Sequence, residues 1–157
     1  MILEVDGWKF QIYDVTTRKY YAREVADHCT CATCRNFYQT VDRVYPELRP
    51  FLAHFGVHVE APESMSAPIQ TICDCYYSVC GKILEVGEEP ISIGNTVVYP
   101  QTCEEVRVDT DMDEPYFFLY ISPLNVPWVL DEPMDAIDTP EKTQNAIAKI
   151  LGKWIKD

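Results

Sequence analysis

Three cysteines and a histidine fall within seven residues of this chain, in the segment His28-Cys29-Thr30-Cys31-Ala32-Thr33-Cys34. Thiolates bind soft metal ions and are the reactive form of cysteine, so thiols at this density indicate a metal site or a redox site. The two-residue gap between Cys31 and Cys34 lets both sulfur atoms reach one ion from a turn. Cys29 offers a third ligand and His28 a fourth. The spacing therefore predicts a tetrahedral zinc site at these four residues.

A second group of thiols follows at Cys73, Cys75 and Cys80. Alternate residues of a strand share one face, so Cys73 and Cys75 would point the same way if they lie on a strand. If that face met the first group, four thiols would surround one ion.

Two other interpretations of the first group stay open. Unpaired cysteine is among the most buried residue types, so these residues could be small core side chains of a reduced protein. Alternatively, Cys31 and Cys34 could form a disulfide or a redox pair, since the start of a helix would stabilise a thiolate at Cys34. No βαβ pattern of a thioredoxin-like fold surrounds them.

A catalytic thiol would need a general base, and the sequence offers His28, His54 and His58. Neighbouring side chains on an extended segment point apart, which disfavours His28 as the base for Cys29. The chain also lacks a GxGxxG, a P-loop and an HExxH motif. A positioned acid and base pair is therefore not evident.

The charge of the chain limits its partners. Twenty-five acidic residues against thirteen basic ones give a formal net charge of −12. Such a field repels phosphate backbones and anionic membranes, so we expect a protein partner with a basic surface, no nucleic acid and no membrane. The first residues show no export signal and seven cysteines is an odd number, which favours the reducing cytoplasm.

Apolar periodicity predicts the elements around the thiols. Residues 8–13 alternate as a strand, 14–19 offer a turn, and 20–25 return as a second strand. Helical spacing begins near Thr33, a plausible N-cap, so the thiols lie between a strand and a helix. Pro46 ends this helix, and a short second helix follows over residues 47–55.

The second half of the chain is mainly β by composition. We expect a loop over residues 61–68, a long strand within 69–86 with a bulge or bend at Gly81, and strands at 96–99, 103–108 and 116–121. The chain ends in a predicted helix that Thr139 caps, with an apolar stripe at Ile147, Ile150, Leu151 and Trp154. The prediction is one α+β domain over residues 1–157. It has a mainly antiparallel sheet, two short central helices and a C-terminal helix.

Residues 29–37 have the form CxCxxCxNF, and this motif resembles a group of small bacterial proteins, mainly from Gram-positive lineages. Residues 52–57, 62–63, 76–83 and 126–130 fit the same group, so the resemblance covers most of the chain. The group has no established activity. The resemblance implies that the first thiol group is a shared feature, and that Arg35 and Asn36 orient a thiolate or cap the helix. The later thiols lie outside the pattern.

These observations favour a non-enzymatic interaction protein in which the cysteines form a structural cluster. Its acidic surface and the aromatics at residues 116–118 and Trp128 would contact the partner. The alternative is a zinc-binding or thiol-redox protein or enzyme that uses Cys29, Cys31 and Cys34. The absence of a positioned acid and base pair favours the first.

Overall fold

The computed structural model describes residues 1–69 and 71–132. These residues form three helices, which are α1 (Asp14–Ala26), α2 (Ala32–Val44) and α3 (Leu48–Ala53). They also form seven strands: β1 (Ile2–Val5), β2 (Trp8–Ile12), β3 (Ser64–Ser66), β4 (Asp74–Glu85), β5 (Ile91–Ile93), β6 (Thr96–Thr102) and β7 (Tyr116–Ser122). The predicted α+β class is confirmed. The helix predicted after Thr139 lies outside the described residues.

The strands form one antiparallel sheet in the order β1-β2-β4-β7-β6-β5, and β3 pairs with β4. The long strand β4 is its centre, since residues 75–80 pair with β7 and residues 81–85 with β2. Gly81 lies where β4 changes partner, and a Cβ atom there would stand 2.0 Å from the carbonyl oxygen of Gln11. Only glycine fits this close approach. A bulge or bend was predicted at Gly81. The shift in register between β2 and β4 lies instead between Lys9 and Phe10.

One face of the sheet, which we call the core face, packs against α2 and α3. Tyr77 of β4 is buried on this face and donates a hydrogen bond of 2.5 Å to the carbonyl of Val59. Phe55, just after α3, lies 5.1 Å from Phe10 and 6.4 Å from Phe117 between ring centroids. The core therefore joins the helices to both halves of the sheet.

The prediction of a turn over residues 14–19 and a strand over residues 20–25 is wrong, because this segment forms helix α1. Its buried residues, Thr17, Tyr20 and Tyr21, recur at helical spacing and face the edge of β4. The Tyr21 hydroxyl donates to the carbonyl of Ser78 at 2.7 Å and accepts the Ser78 N–H at 3.0 Å. The Thr17 hydroxyl accepts the N–H of Cys80 at 3.1 Å. Strand β3 pairs with residues 74–76 of β4 and β2 pairs with residues 81–85. The hydroxyls of Thr17 and Tyr21 bond the edge of β4 between these two segments, where no strand pairs with it.

Other predictions for the second half are corrected in part. Residues 103–108 are not a strand: residues 103–105 form a turn, in which the Glu105 carboxylate accepts the N–H and hydroxyl of Thr102 at 3.0 Å. Strand β3 lies in the predicted loop, and β5 is too short to show a periodicity. Two aromatics expected at the surface, Phe117 and Phe118, are buried. Phe117 packs against Phe10 on the core face, and Phe118 lies between the rings of Tyr76 and Tyr116 on the opposite face.

Within residues 1–69 and 71–132, none of the helices has the length and apolar character needed to cross a membrane.

Candidate metal centre

The sulfur atoms of Cys29, Cys31 and Cys34 lie within 4.8 Å of one another, and we call these three residues the cysteine trio. Zn–S bonds of about 2.3 Å at tetrahedral angles place sulfur atoms ~3.8 Å apart. A contraction of at most about 1 Å would therefore suit the trio to one zinc ion. Among the described residues, no other set of three His, Cys, Asp or Glu side chains converges in this way.

The trio lies at a junction between two helices, which corrects the predicted strand-to-helix junction. Helix α1 ends at Ala26 and α2 begins at Ala32, so Cys29 and Cys31 are on the connecting loop and Cys34 is in the first turn of α2. The N-cap of α2 is Cys31 and not Thr33, since the Cys31 sulfur accepts the N–H of Cys34 at 3.5 Å. The Cys29 sulfur accepts the N–H of Cys31 at the same distance.

Side chains of α2 hold the loop that carries the trio. The Tyr38 hydroxyl donates to the carbonyl of Cys29 at 2.8 Å. The Nε of Arg35 donates to the carbonyl of Thr30 at 2.7 Å. The other end of the same guanidinium makes a two-pronged pair with Glu132, at 2.7 and 2.6 Å. Arg35 therefore positions the backbone of the loop that carries the trio.

Asn36 has a different role from the one expected of it. It is fully buried, its Nδ2 donates to the carbonyl of Pro127 at 2.9 Å, and its Oδ1 accepts the N–H of Val129 at 2.8 Å. Both polar ends of the side chain are thus engaged by the segment at residues 127–129. Asn36 fixes that segment against α2 and makes no contact with a thiolate.

The pKa of two thiols of the trio, Cys31 and Cys34, is raised by partial burial. Burial raises the pKa of the Cys34 thiol, and the hydrogen bonds with the other two cysteines add to the shift. It also raises the pKa of Cys31, although the N–H of Cys34 opposes that change. The start of α2 therefore does not produce a reactive thiolate at Cys34, contrary to expectation. A metal ion would have to displace protons from these thiols.

His28 is close to the trio but does not converge with it. Its ring packs 4.6 Å from the ring of Tyr38 between centroids. Its Nδ1 is buried and has no hydrogen-bond partner within the described part of the chain. Neither of the other histidines joins the trio: His54 is exposed after α3, and the Nδ1 of His58 accepts the N–H of Glu60 at 3.3 Å.

The later thiols do not contribute to this site. Cys75 lies on the core face of β4 and Cys80 on the other face, and both are buried. Burial raises the pKa of Cys75 to about 12 and also raises that of Cys80. Cys73 precedes β4, where its sulfur is 3.8 Å from the carboxylate of Asp74. The resemblance to the CxCxxCxNF group already set the later thiols apart, and the structure places them away from the trio.

Comparisons with protein-family models, with curated proteins and with solved structures find no match to this chain. The resemblance to the CxCxxCxNF group therefore stays a prediction. The geometry of the trio is what supports a site here.

Proposed function

We propose that the cysteine trio holds a structural zinc ion, with His28 as the fourth ligand, in a protein without enzymatic activity. The observation that supports this proposal is the convergence of three sulfur atoms within 4.8 Å. Three cysteines and a histidine form one of the usual ligand sets of closed, structural zinc sites.

The protonation of the thiols favours a metal site over a redox site. A redox thiol depends on a lowered pKa, which makes the thiolate available to react. Burial instead raises the pKa of both Cys31 and Cys34. A metal ion compensates for this cost, because it stabilises the thiolates that it binds.

His28 does not converge with the trio in the structure, so its side chain would have to turn toward the ion. The support for His28 as a ligand is its buried Nδ1 without a hydrogen-bond partner among the described residues. A buried nitrogen without a partner costs free energy, and metal binding would remove that cost. His28 also follows α1 directly, and its N–H donates to the carbonyl of Val25 at 3.3 Å. A zinc ion on His28 and Cys34 would therefore tie the end of α1 to the start of α2.

The test is the metal content of the full chain purified without added metal. We expect one zinc ion per chain, lost on Cys31→Ser and retained on Cys103→Ser, which alters an exposed thiol outside the trio. His28→Ala should weaken zinc binding without abolishing it, because three thiolates remain. A metal-free folded protein in which the exposed thiols of Cys29 and Cys31 react freely would contradict the proposal.

The predicted role in binding a basic protein partner is a second proposal. Its support is the net charge of −12, which favours a basic surface by electrostatic complementarity. Phe117 and Phe118 cannot form the contact surface because both are buried. The other two aromatics of the predicted surface, Tyr116 and Trp128, are half-buried and stay available for contact.

A further inference from the structure

Three tyrosines lie side by side across the sheet, on the face opposite the core face. In the strand register Tyr120 of β7 is directly opposite Tyr76 of β4 on one side and Tyr99 of β6 on the other. Directly opposed residues of antiparallel strands share a face. The ring centroids are 4.5 Å apart for Tyr76 and Tyr120 and 5.9 Å apart for Tyr99 and Tyr120. We call these residues the tyrosine row.

The row is accessible and firmly held. Tyr99 is 37% exposed, and Tyr76 and Tyr120 are half-buried. Phe118 is buried beside the row and meets Tyr76 nearly edge-on, with centroids 6.4 Å apart and an 86° angle between the rings. Ring faces held by a buried neighbour need little reordering to bind a ligand, which lowers the entropic cost of binding.

The surroundings of the row accept hydrogen bonds and carry negative charge. Asp74 is two residues from Tyr76 on the same face, and its charge adds to the burial that raises the pKa of Tyr76 and Tyr120. Gln101 is two residues from Tyr99, and its Oε1 is buried without a hydrogen-bond partner in the part of the chain that the structure describes. The other described strand residues on this face near the row are small or apolar, and none is a lysine or an arginine: Ser64, Ser66, Ser78, Ser92, Val97 and Ser122.

We propose that the tyrosine row binds arginine side chains of a basic polypeptide segment. A guanidinium group stacks on aromatic faces and carries five N–H donors, which suit the Asp74 carboxylate and the unpartnered Gln101 oxygen. Lysine offers a compact, strongly hydrated charge that does not stack in this way. The charge of −12 on the chain attracts the same partner over a longer range.

This inference rests on the proposed partner-binding role and is independent of the zinc site. The probe is a fluorescently labelled peptide of eight arginines, titrated with the full chain at two ionic strengths. Tyr99→Leu should weaken binding about threefold, the value expected for one exposed cation–π contact. The double change Tyr99→Leu with Asp74→Asn should weaken it further. Eight lysines should bind several-fold more weakly than eight arginines.

The matched control removes charge from residues outside the row. Glu88→Gln with Glu89→Gln neutralises two exposed carboxylates before β5 and should weaken binding less than Tyr99→Leu. If the control weakens binding more and Tyr99→Leu has no effect, binding is diffuse and the inference is wrong, while the partner-binding role stands. If neither peptide binds, both are wrong. Equal binding of the two peptides, or binding of a neutral proline-rich peptide instead, also overturns the arginine assignment. Thermal unfolding shows whether each variant is folded.

Discussion

A cysteine occupies the N-cap of α2, where serine, threonine, aspartate or asparagine is usual. Sulfur is a weak hydrogen-bond acceptor, and the Cys31 sulfur is 3.5 Å from the N–H that it caps. An oxygen at this position would cap the helix better. The proposed zinc site would account for sulfur at this position, because a thiolate binds zinc and a serine hydroxyl is not one of the usual zinc ligands.

Cys31 thus caps α2 and, in the proposed site, binds the metal, and the variant Cys31→Ser separates these two roles. The serine hydroxyl can still cap the helix. Without metal, the free energy of unfolding of the variant should therefore equal that of the parent or exceed it by up to about 1 kcal/mol. Its zinc affinity should nevertheless fall, because a thiolate ligand is lost. Denaturant unfolding with a chelator measures the first quantity, and competition with a chromogenic chelator measures the second. A large loss of stability without metal would show that the thiol itself holds the loop.

At the scale of elements, α1 takes the place of a strand along the edge of β4. The Tyr21 hydroxyl satisfies both backbone polar groups of Ser78, which is fully buried. Buried backbone groups without partners are rare because each costs about 1–3 kcal/mol. The attachment of α1 to the sheet therefore depends strongly on one phenol oxygen.

We expect Tyr21→Phe to lower the free energy of unfolding by about 2–4 kcal/mol, since two hydrogen bonds to buried groups are lost. Tyr13→Phe is the control, because the Tyr13 hydroxyl makes no hydrogen bond to another described residue. It should cost less than about 0.5 kcal/mol. Equilibrium unfolding in urea measures both. Equal stability of the two variants would mean that water replaces the phenol at the β4 edge.

The same elements show what the sequence could predict. Helix α2 was predicted well because its buried face contains Phe37 and Val41 at helical spacing. Helix α1 was missed because its buried face consists of hydroxyl-bearing residues such as Thr17 and Tyr21, which hydropathy does not distinguish from a surface. The trio was found from spacing alone, because its ligands are adjacent along the chain. The Asn36 contact with residues 127–129 could not be found, since it joins residues more than ninety positions apart.

At the scale of the whole molecule, the core contains phenol groups that hold it together only in their neutral form. Tyr21 and Tyr77 are fully buried, and burial raises the pKa of each well above its usual value. Both donate hydrogen bonds to backbone carbonyls, of Ser78 and Val59 respectively. An ionised phenol could not make either bond.

This burial predicts sensitivity to alkali. A folded-state pKa above the unfolded value of about 10 means that the unfolded chain loses its phenolic protons first as the pH rises. The contribution of these groups to stability should be complete below about pH 9 and should fall above about pH 10. Urea unfolding between pH 8 and 11, followed together with tyrosinate absorbance, measures both effects. Full ionisation of every tyrosine in a still-folded protein would contradict this prediction.

The ligands of the trio span only six residues of chain, from Cys29 to Cys34. An ion bound across so short a ring removes little freedom from the denatured ensemble, because the entropy of closing a loop grows with its length. Ligands that are neighbours in sequence also remain neighbours after unfolding, so the denatured chain keeps much of its zinc affinity. Binding to the denatured state subtracts from the stabilisation that a ligand gives to the native state. Tight zinc binding and a small rise in melting temperature are thus compatible here, and the ion would order the junction of two helices without controlling whether the rest of the molecule folds.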